Sequence, residues 1–196
     1  DNQQRYHRLV QIVRPTTKAL ITIISGFYLA CLLVPGLEEN LFLIKKAILS
    51  DGNVHGIATG EYWRIITVAL THGSIMHLFF NMYALLVLGN PLESALGRNK
   101  LLAILLVSQI GASLTSLYFN PANQPSVGVS GALFGLFAAT AVISKRYGLD
   151  TRQIYVIVGI NFAIGFVLPG IDWRAHLGGL VTGFVFTNIL LAPTRR

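Results

Sequence analysis

Two polar residues, Ser130 and His176, each begin a glycine-rich stretch in a chain whose long uncharged runs hold few other strongly polar groups. Ser130 lies in "GVSGALFG" (128–135), and His176 begins "HLGGLVTG" (176–183). A serine hydroxyl becomes a nucleophile when a histidine within about 2.6–3.2 Å can accept its proton. Small residues four positions apart allow two membrane helices to approach closely. They follow the serine as Gly131 and Gly135, and the histidine as Gly179 and Gly183. The sequence therefore predicts a serine–histidine pair, provided that the two helices meet.

A second polar pair, His77 and Asn81, is spaced four residues apart and so shares one face of a helix. Both side chains can direct N–H donors to one point, and such donors stabilise the oxyanion formed when a nucleophile attacks a carbonyl group. His72 lies just before them. Taken singly, each of these residues has an alternative interpretation as a packing or interfacial group. A shared site is favoured because ionisable or strongly polar groups inside a membrane are costly and commonly functional.

The elements that position these residues are long apolar helices. The chain has 53% hydrophobic and 12% charged residues, a composition typical of an integral membrane protein. Its uncharged runs approach or exceed the roughly 20 residues that cross a bilayer as a helix. Turn residues in "NPANQPSVG" (120–128) divide the longest run into two. Six helices are predicted, at 17–35, 74–96, 100–119, 129–147, 152–168 and 174–191.

The basic residues predict how these helices are oriented. Most of the 15 lysines and arginines fall on one side of the predicted spans, which places both termini in the cytoplasm. The second, fourth and sixth spans then begin at the outer face, where His77, Ser130 and His176 would lie at a similar depth. We expect a multi-pass protein of the cell inner (plasma) membrane. Contact between basic residues and anionic lipid accounts for the net charge of +7, and no nucleic acid partner is expected.

A metal centre, a cofactor or a full catalytic triad is not favoured. Cys31 is the single cysteine, the H-E-x-x-H motif does not occur, and no carboxylate lies beside the histidines within a span. We therefore expect no metal and no cofactor. Asp172, four residues before His176, is a candidate to orient that imidazole. Its position beside Trp173 and Arg174 indicates an exposed loop residue instead, so a dyad is preferred to a triad.

Four motifs, each on its expected helix or loop, resemble those of the rhomboid intramembrane serine proteases in their minimal bacterial form. They are "YWR" (62–64), "HGSIMHLFFN" (72–81), "GVSGALFG" and "AHLGGLVTG". The resemblance implies an all-α, polytopic bundle of six transmembrane helices with a long interfacial first loop. It also implies that Ser130 is the nucleophile and that His176 is the base. His77, Asn81 and the backbone N–H of Ser130 would form the oxyanion hole.

The resemblance gives supporting roles to further residues. It implies that Gly128 and Gly131 allow close backbone approach around the nucleophile, and that Trp63 and Arg64 fix the first loop. Phe134 stands where many rhomboids have a tyrosine that packs on the histidine. Glu93 and Gly97 match a structural motif, and Phe162 to Trp173 would admit the substrate. The supporting residues around the dyad are Gly128, Gly131, His72, Phe134 and Gly179.

The expected substrate is a transmembrane segment of another protein, which must unwind before it can be cleaved. Water must reach Ser130, so we expect a polar cavity that is open to the outer face and lined by His72, His77 and Asn81. Two alternatives stay open: a catalytically silent rhomboid-like protein that binds membrane clients, and a small transporter. Neither would react with a serine-directed probe, and the transporter would also carry polar residues through to the inner side. We expect residues 1–196 to form a single membrane domain. Because the chain begins at Asp1, the sequence leaves open whether a soluble extension precedes it.

Overall fold

The computed structural model describes residues 13–167 and 170–192, and this part of the chain is mostly helical. Its six long helices begin and end within two residues of the predicted bounds, except that the predicted end at 168 lies outside the described residues. They are α1 (Pro15–Leu33), α2 (Ile75–Leu96), α3 (Arg98–Phe119), α4 (Ser130–Arg146), α5 (Arg152–Val167) and α6 (Trp173–Leu190).

The helices differ in how well they suit a lipid environment. Among the described residues, α1, α2 and α3 are long and apolar enough to cross a membrane, and α5 is apolar but shorter. Small residues are frequent in α4 and α6, which pack extensively on each other and on α3, and α3 carries four buried polar residues, Ser108, Gln109, Ser113 and Ser116. A helix in the centre of a bundle faces other helices rather than lipid, so it can carry small and polar residues that promote close packing.

Glycines set the separation of α4 and α6. A Cβ atom added to Gly179 would overlap the carbonyl oxygen of Gly131, and one added to Gly183 would overlap the Cα atom of Gly135. The two backbones are therefore in direct contact, as the small-residue spacing predicts. Leucine and isoleucine side chains from α2, α3 and α4 fill the space beside this contact. The most deeply buried are Leu85, Leu101, Ile104 and Leu136.

Side-chain oxygens at helix ends fix the helix positions. Ser74 accepts a hydrogen bond from the backbone N–H of His77 at 3.1 Å and so caps the start of α2. At the other end of α2, Glu93 accepts bonds from the N–H groups of Thr16 and Thr17 and from the Thr17 hydroxyl. These bonds satisfy free N–H groups in the first turn of α1 and join α1 to α2.

The segment between α1 and α2 has structure of its own and corrects the all-α expectation. It contains a two-stranded antiparallel hairpin, in which Ala47 and Ile48 of β1 (Ala47–Ile48) pair with His55 and Val54 of β2 (Val54–His55). The turn between them holds Gly52 at φ 80° beside Asp51, whose carboxylate accepts the N–H of Asn53 at 2.9 Å. Asp-Gly is a strong hairpin signal. The remaining short helical turns are Leu37–Leu41, Ile57–Thr59, Arg64–Thr67 and Val68–Leu70.

A buried arginine holds this first loop together. Arg64 is fully buried and donates from Nη1 to the carbonyl oxygens of Glu39 at 2.6 Å and Phe42 at 2.9 Å. Its Nε donates to Glu61 Oε2 at 2.7 Å. The neighbouring Trp63 donates its indole N–H to the Asn40 carbonyl at 3.0 Å. A planar guanidinium can reach several acceptors at once, so this residue joins the segment 39–42 to the segment 61–64.

Candidate active site

The centre of the site is a hydrogen bond between Ser130 and His176. Ser130 Oγ lies 2.9 Å from His176 Nε2, within the distance that proton transfer between nucleophile and base requires. Ser130 is the first residue of α4, and His176 lies in the first turn of α6. The direct contact between these two helices brings the hydroxyl and the imidazole to the same end of the bundle.

A phenylalanine holds the histidine ring in place. Phe134, one helical turn after Ser130, lies parallel to the His176 imidazole, with ring centroids 4.3 Å apart and 12° between the planes. Phe162 of α5 packs edge-on against both rings. Within the described part of the chain, His176 Nδ1 has no hydrogen-bond partner. The ring is therefore oriented by packing on its face rather than by a carboxylate.

The polar residues of α2 lie against the backbone that leads into Ser130. Gly128 adopts φ 103°, and a Cβ atom on it would lie 2.8 Å from His77 Cε1 and 3.0 Å from His77 Nε2. Only glycine suits both the conformation and the space. Asn81 is buried, and its Nδ2 donates to the His77 carbonyl at 2.9 Å. The backbone N–H of Ser130 belongs to the first turn of α4, where intrahelical acceptors are lacking.

These groups line a cavity of about 900 Å³. Its polar residues include Ser130, His176, His77 and Asn81, and apolar side chains of α2 and α5 contribute further walls. His72 was expected to line the cavity, and this prediction is wrong. It precedes α2, is buried beside His77 with the two ring centroids 5.0 Å apart, and is not among the residues that line the cavity.

Comparison with known proteins places this arrangement in a family. Residues 59–193 match the Rhomboid domain, a region that contains every polar group of the cavity. This chain belongs to the rhomboid family. The resemblance that the four motifs indicated is thereby confirmed.

Three similar proteins are rhomboids from two bacteria and a plant. The chain is 40% identical over 142 residues to rhomboid protease GluP of Bacillus subtilis (strain 168), covering 70% of this chain and 28% of GluP. It is 32% identical over 198 residues to rhomboid protease AarA of Providencia stuartii, covering 85% and 68%. RHOMBOID-like protein 5 of Arabidopsis thaliana is 37% identical over 145 residues, covering 69% and 46%. The chain thus matches less than half the length of two of these rhomboids.

In this rhomboid, Asp172 has a different position from the one that its neighbours in sequence indicated. It was expected to be an exposed loop residue, but it is partly buried and accepts a bond from the N–H of Ala175, which caps α6. Its other oxygen accepts bonds from Ser116 Oγ at 2.5 Å and Asn120 Nδ2 at 2.9 Å at the end of α3. Asp172 therefore fastens the start of the histidine helix to α3. An aspartate just before a predicted helix, three residues ahead of a backbone N–H, is a common N-cap pattern, and this pattern was the sequence signal that could have identified its role.

Two further polar residues of the cavity, Gln109 and Ser113, were not predicted. Both lie on α3, and Gln109 Nε2 donates to Ser113 Oγ at 3.1 Å. Ser113 Oγ donates in turn to the carbonyl oxygen of Ile65 at 2.8 Å, which attaches the first loop to α3. Their spacing of four residues within an apolar run was the signal that could have identified them. Within the described ranges, no group of three histidine, cysteine or acidic side chains is arranged to hold a metal ion.

Proposed function

We propose that this rhomboid is an intramembrane serine endopeptidase that cleaves transmembrane segments of other membrane proteins near the outer face. The observation that carries the proposal is the 2.9 Å contact between Ser130 Oγ and His176 Nε2 inside the cavity. A serine that served only for helix packing would not need a histidine acceptor on another helix. The names of GluP and AarA as rhomboid proteases also support this function.

In the proposed reaction, His176 Nε2 takes the Ser130 Oγ proton as the oxygen attacks the scissile carbonyl carbon. The resulting oxyanion receives hydrogen bonds from His77, Asn81 and the Ser130 backbone N–H. His176 then gives its proton to the leaving amine, and the carbonyl group remains as an ester on Ser130. Water attacks this ester with His176 again as base, releasing the new carboxyl end and restoring the serine.

The proposed membrane arrangement has six spans, with both termini in the cytoplasm and the active site towards the outer face. The predicted topology places the start of α2, α4 and α6 at this face, where the cavity residues Ser74, Ser130 and His176 are found. The first loop attaches to the same end, because Leu43 forms backbone hydrogen bonds in both directions with Ser126 just before α4. An interfacial position suits this mixed polar and apolar segment. An inner membrane location is proposed on the same grounds.

The proposed substrate enters between α2 and α5. Side chains of both helices line the cavity, and Gly165 is the single buried residue of α5. An element with so little buried surface is able to move at low cost. The carbonyl groups of a transmembrane helix are occupied by intrahelical hydrogen bonds, so the segment must unwind locally before Ser130 can reach one.

The test is cleavage of a tagged single-span protein in proteoliposomes by the parent and by the Ser130→Ala and His176→Ala variants. We expect the parent to cleave and both variants to fall to background. Ser144→Ala is the matched control, since it removes a hydroxyl near the opposite end of α4 and should leave cleavage unchanged. Labelling of the parent by a fluorophosphonate should also disappear in Ser130→Ala. A parent that neither cleaves a varied panel of spans nor reacts with the probe would instead support the client-binding alternative.

A further inference from the structure

A single amide lies in the apolar part of α5. Between Val156 and Val167, Asn161 is the only residue whose side chain has hydrogen-bonding atoms. It is exposed, and among the described residues its one hydrogen bond runs from Nδ2 to the carbonyl oxygen of Ile157 at 2.8 Å. The Oδ1 atom and the second amide hydrogen therefore lack protein partners there. Placing an amide in hydrocarbon with unpaired hydrogen-bonding atoms costs free energy. We therefore expect a polar partner to bind Asn161 during function.

Asn161 faces the active-site cavity. It lines the same cavity as Ser130 and His176, together with Ile157 and Ile164 from its own helix face. It lies six residues before the end of α5 at Val167, which corresponds to about 9 Å along the helix axis. Asn81 lies six residues after the start of α2 at Ile75, so the two asparagines are about equally deep.

The wall provided by α2 is mainly apolar. Phe80, Tyr83 and Val87 line the cavity and are each about half exposed or more. A polypeptide between α2 and α5 would therefore meet a mainly apolar surface with the Tyr83 hydroxyl on one side and the Asn161 amide on the other. The apolar surface contacts any hydrophobic segment, whereas the amide is the polar group of α5 that can recognise a polar side chain within a transmembrane segment.

We infer that Asn161 determines specificity by hydrogen-bonding an uncharged polar side chain in the transmembrane segment of the substrate. This inference rests on the proposed function. An amide both donates and accepts, so it matches asparagine, glutamine, serine or threonine. A charged partner is disfavoured because the cost of placing a charge at this depth is much larger. Hydrogen bonds between membrane helices average about 0.6 kcal/mol and reach about 1.7, which corresponds to a preference of about 3-fold to 20-fold.

The experiment uses a single-span substrate with an apolar transmembrane segment, in which one asparagine is moved through successive positions. Each asparagine substrate is compared with the same substrate carrying leucine at that position, and kcat/KM is measured in proteoliposomes. The parent should prefer asparagine at one position, or at positions one helical turn apart. Asn161→Leu should reduce that preference to about 1, and Asn161→Gln should restore part of it. The preference is a ratio measured on one preparation, so a general loss of activity does not affect it.

The chain offers a matched control in Asn188 of α6. Its Nδ2 donates to the carbonyl oxygen of Phe184 at 2.9 Å, the same local bond that Asn161 makes, and it does not line the cavity. Asn188→Leu should keep the full preference of the parent. The inference is wrong if the parent shows no preference at any position, if Asn161→Leu keeps it, or if Asn188→Leu loses it equally.

Two outcomes separate this inference from the proposed function. If the parent cleaves and labels with fluorophosphonate while its selectivity is independent of Asn161, the proposed function stands and the inference fails. If the parent neither cleaves nor labels, both fail. A third result, in which Asn161→Leu separates dimers of this protein without changing selectivity, would assign the amide to self-association and overturn the inference.

Discussion

The Phe134 ring covers one face of the His176 imidazole at a centroid distance of 4.3 Å. Phe134 and Ser130 belong to the same helix, one turn apart. The helix that carries the proposed nucleophile therefore also orients the proposed base. In a dyad without a carboxylate at Nδ1, this stacking takes over the orienting role that an aspartate has in a triad.

Replacement of Phe134 tests this role. Aromatic pairs contribute about 0.5–1.5 kcal/mol beyond their buried area, so Phe134→Leu should lower kcat by about 2-fold to 12-fold with a smaller effect on KM. Phe134→Tyr keeps the ring and should stay close to the parent. Steady-state kinetics on one reference substrate in detergent give kcat and KM for the parent and both variants. Identical kcat values for the parent and Phe134→Leu would contradict the orienting role.

The contact between α4 and α6 predicts a strong effect of one added methyl group. Gly179→Ala should lower the free energy of unfolding by at least about 2 kcal/mol, because its Cβ atom has to displace the Gly131 backbone. Gly26→Ala in α1 is the control, since nothing lies within 4 Å of its added Cβ atom. Thermal unfolding in detergent compares the two. Equal stability of both variants would show that the helices separate without cost.

The hydrogen bonds that Asp172 accepts at the start of α6 give a third prediction. Asp172→Ala removes the cap on Ala175 and the acceptor of the Ser116 hydroxyl, and leaves Asn120 Nδ2 with Ser116 Oγ as its acceptor. Loss of a helix cap costs about 1 kcal/mol, and the unpaired hydroxyl adds to it. We expect a lower melting temperature together with slower cleavage, because His176 is in the released turn.

The control for this prediction is Asp150→Ala. Asp150 accepts the N–H of Arg152 at 2.9 Å at an exposed position before α5. Among the described residues, its side chain makes no hydrogen bond to a second helix. It should change the melting temperature and the cleavage rate much less than Asp172→Ala does. Similar effects of the two changes would mean that Asp172 acts only as a local cap.

A cluster in the first loop predicts a dependence on pH. His55 Nδ1 lies 2.7 Å from Glu61 Oε1, and its Nε2 lies 3.0 Å from Asp51 Oδ2. The hydrogen bond to Glu61, and then the one to Asp51, raise the pKa of His55 above its usual value. A raised pKa stabilises the folded loop below the ordinary histidine pKa of about 6.5. This stabilisation is lost as the pH rises through the raised pKa.

Hydrogen exchange of amides 47–61, corrected for intrinsic rates, measures this effect. Protection should decrease as the pH increases above about 6.5, the ordinary histidine pKa, and His55→Gln should remove the dependence. Glu61 also binds the Arg64 guanidinium and the Gly56 N–H, so the hairpin should not unfold completely when His55 loses its proton. The same pH dependence in the parent and in His55→Gln would rule out this histidine as its source.

The proposed unwinding of the substrate can be tested without changing this protein. A glycine or proline placed in the substrate near the outer boundary should increase the cleavage rate, because both residues weaken a helix and proline does so by about 3 kcal/mol in a helix interior. Alanine at the same position is the control. A rate that is indifferent to these changes would count against the unwinding step.

The helices could be predicted from the sequence because each depends on local composition. An apolar run must form its hydrogen bonds within itself in a membrane, so its length gives the helix bounds closely. The glycines of α4 and α6 likewise predicted the contact between these helices, since their spacing has one common use in membranes. The placement of Ser130 opposite His176 followed from this contact.

The environments of several polar side chains could not be predicted, because they depend on contacts between distant parts of the chain. Asp172 accepts hydrogen bonds from Ser116 and Asn120 at the end of α3, more than 50 positions away in sequence. Its neighbours Trp173 and Arg174 therefore indicated the wrong environment. Gln109 and Ser113 face a cavity whose other walls come from different helices. His72 was assigned to the cavity because it is polar and close to His77 in sequence, although it lies outside the helix whose periodicity justified grouping His77 with Asn81.

The close backbone contact of α4 and α6 also bears on how this protein can change. The serine and histidine are fixed by glycines on these two helices, whereas α5, which separates them in sequence, contributes little buried surface. Under the proposed function, substitutions along α5, apart from Phe162, which packs on Phe134 and His176, would alter which segments are admitted while the distance between Oγ and Nε2 stays the same. Substrate choice would then evolve through one weakly packed helix without disturbing the contact between Ser130 and His176.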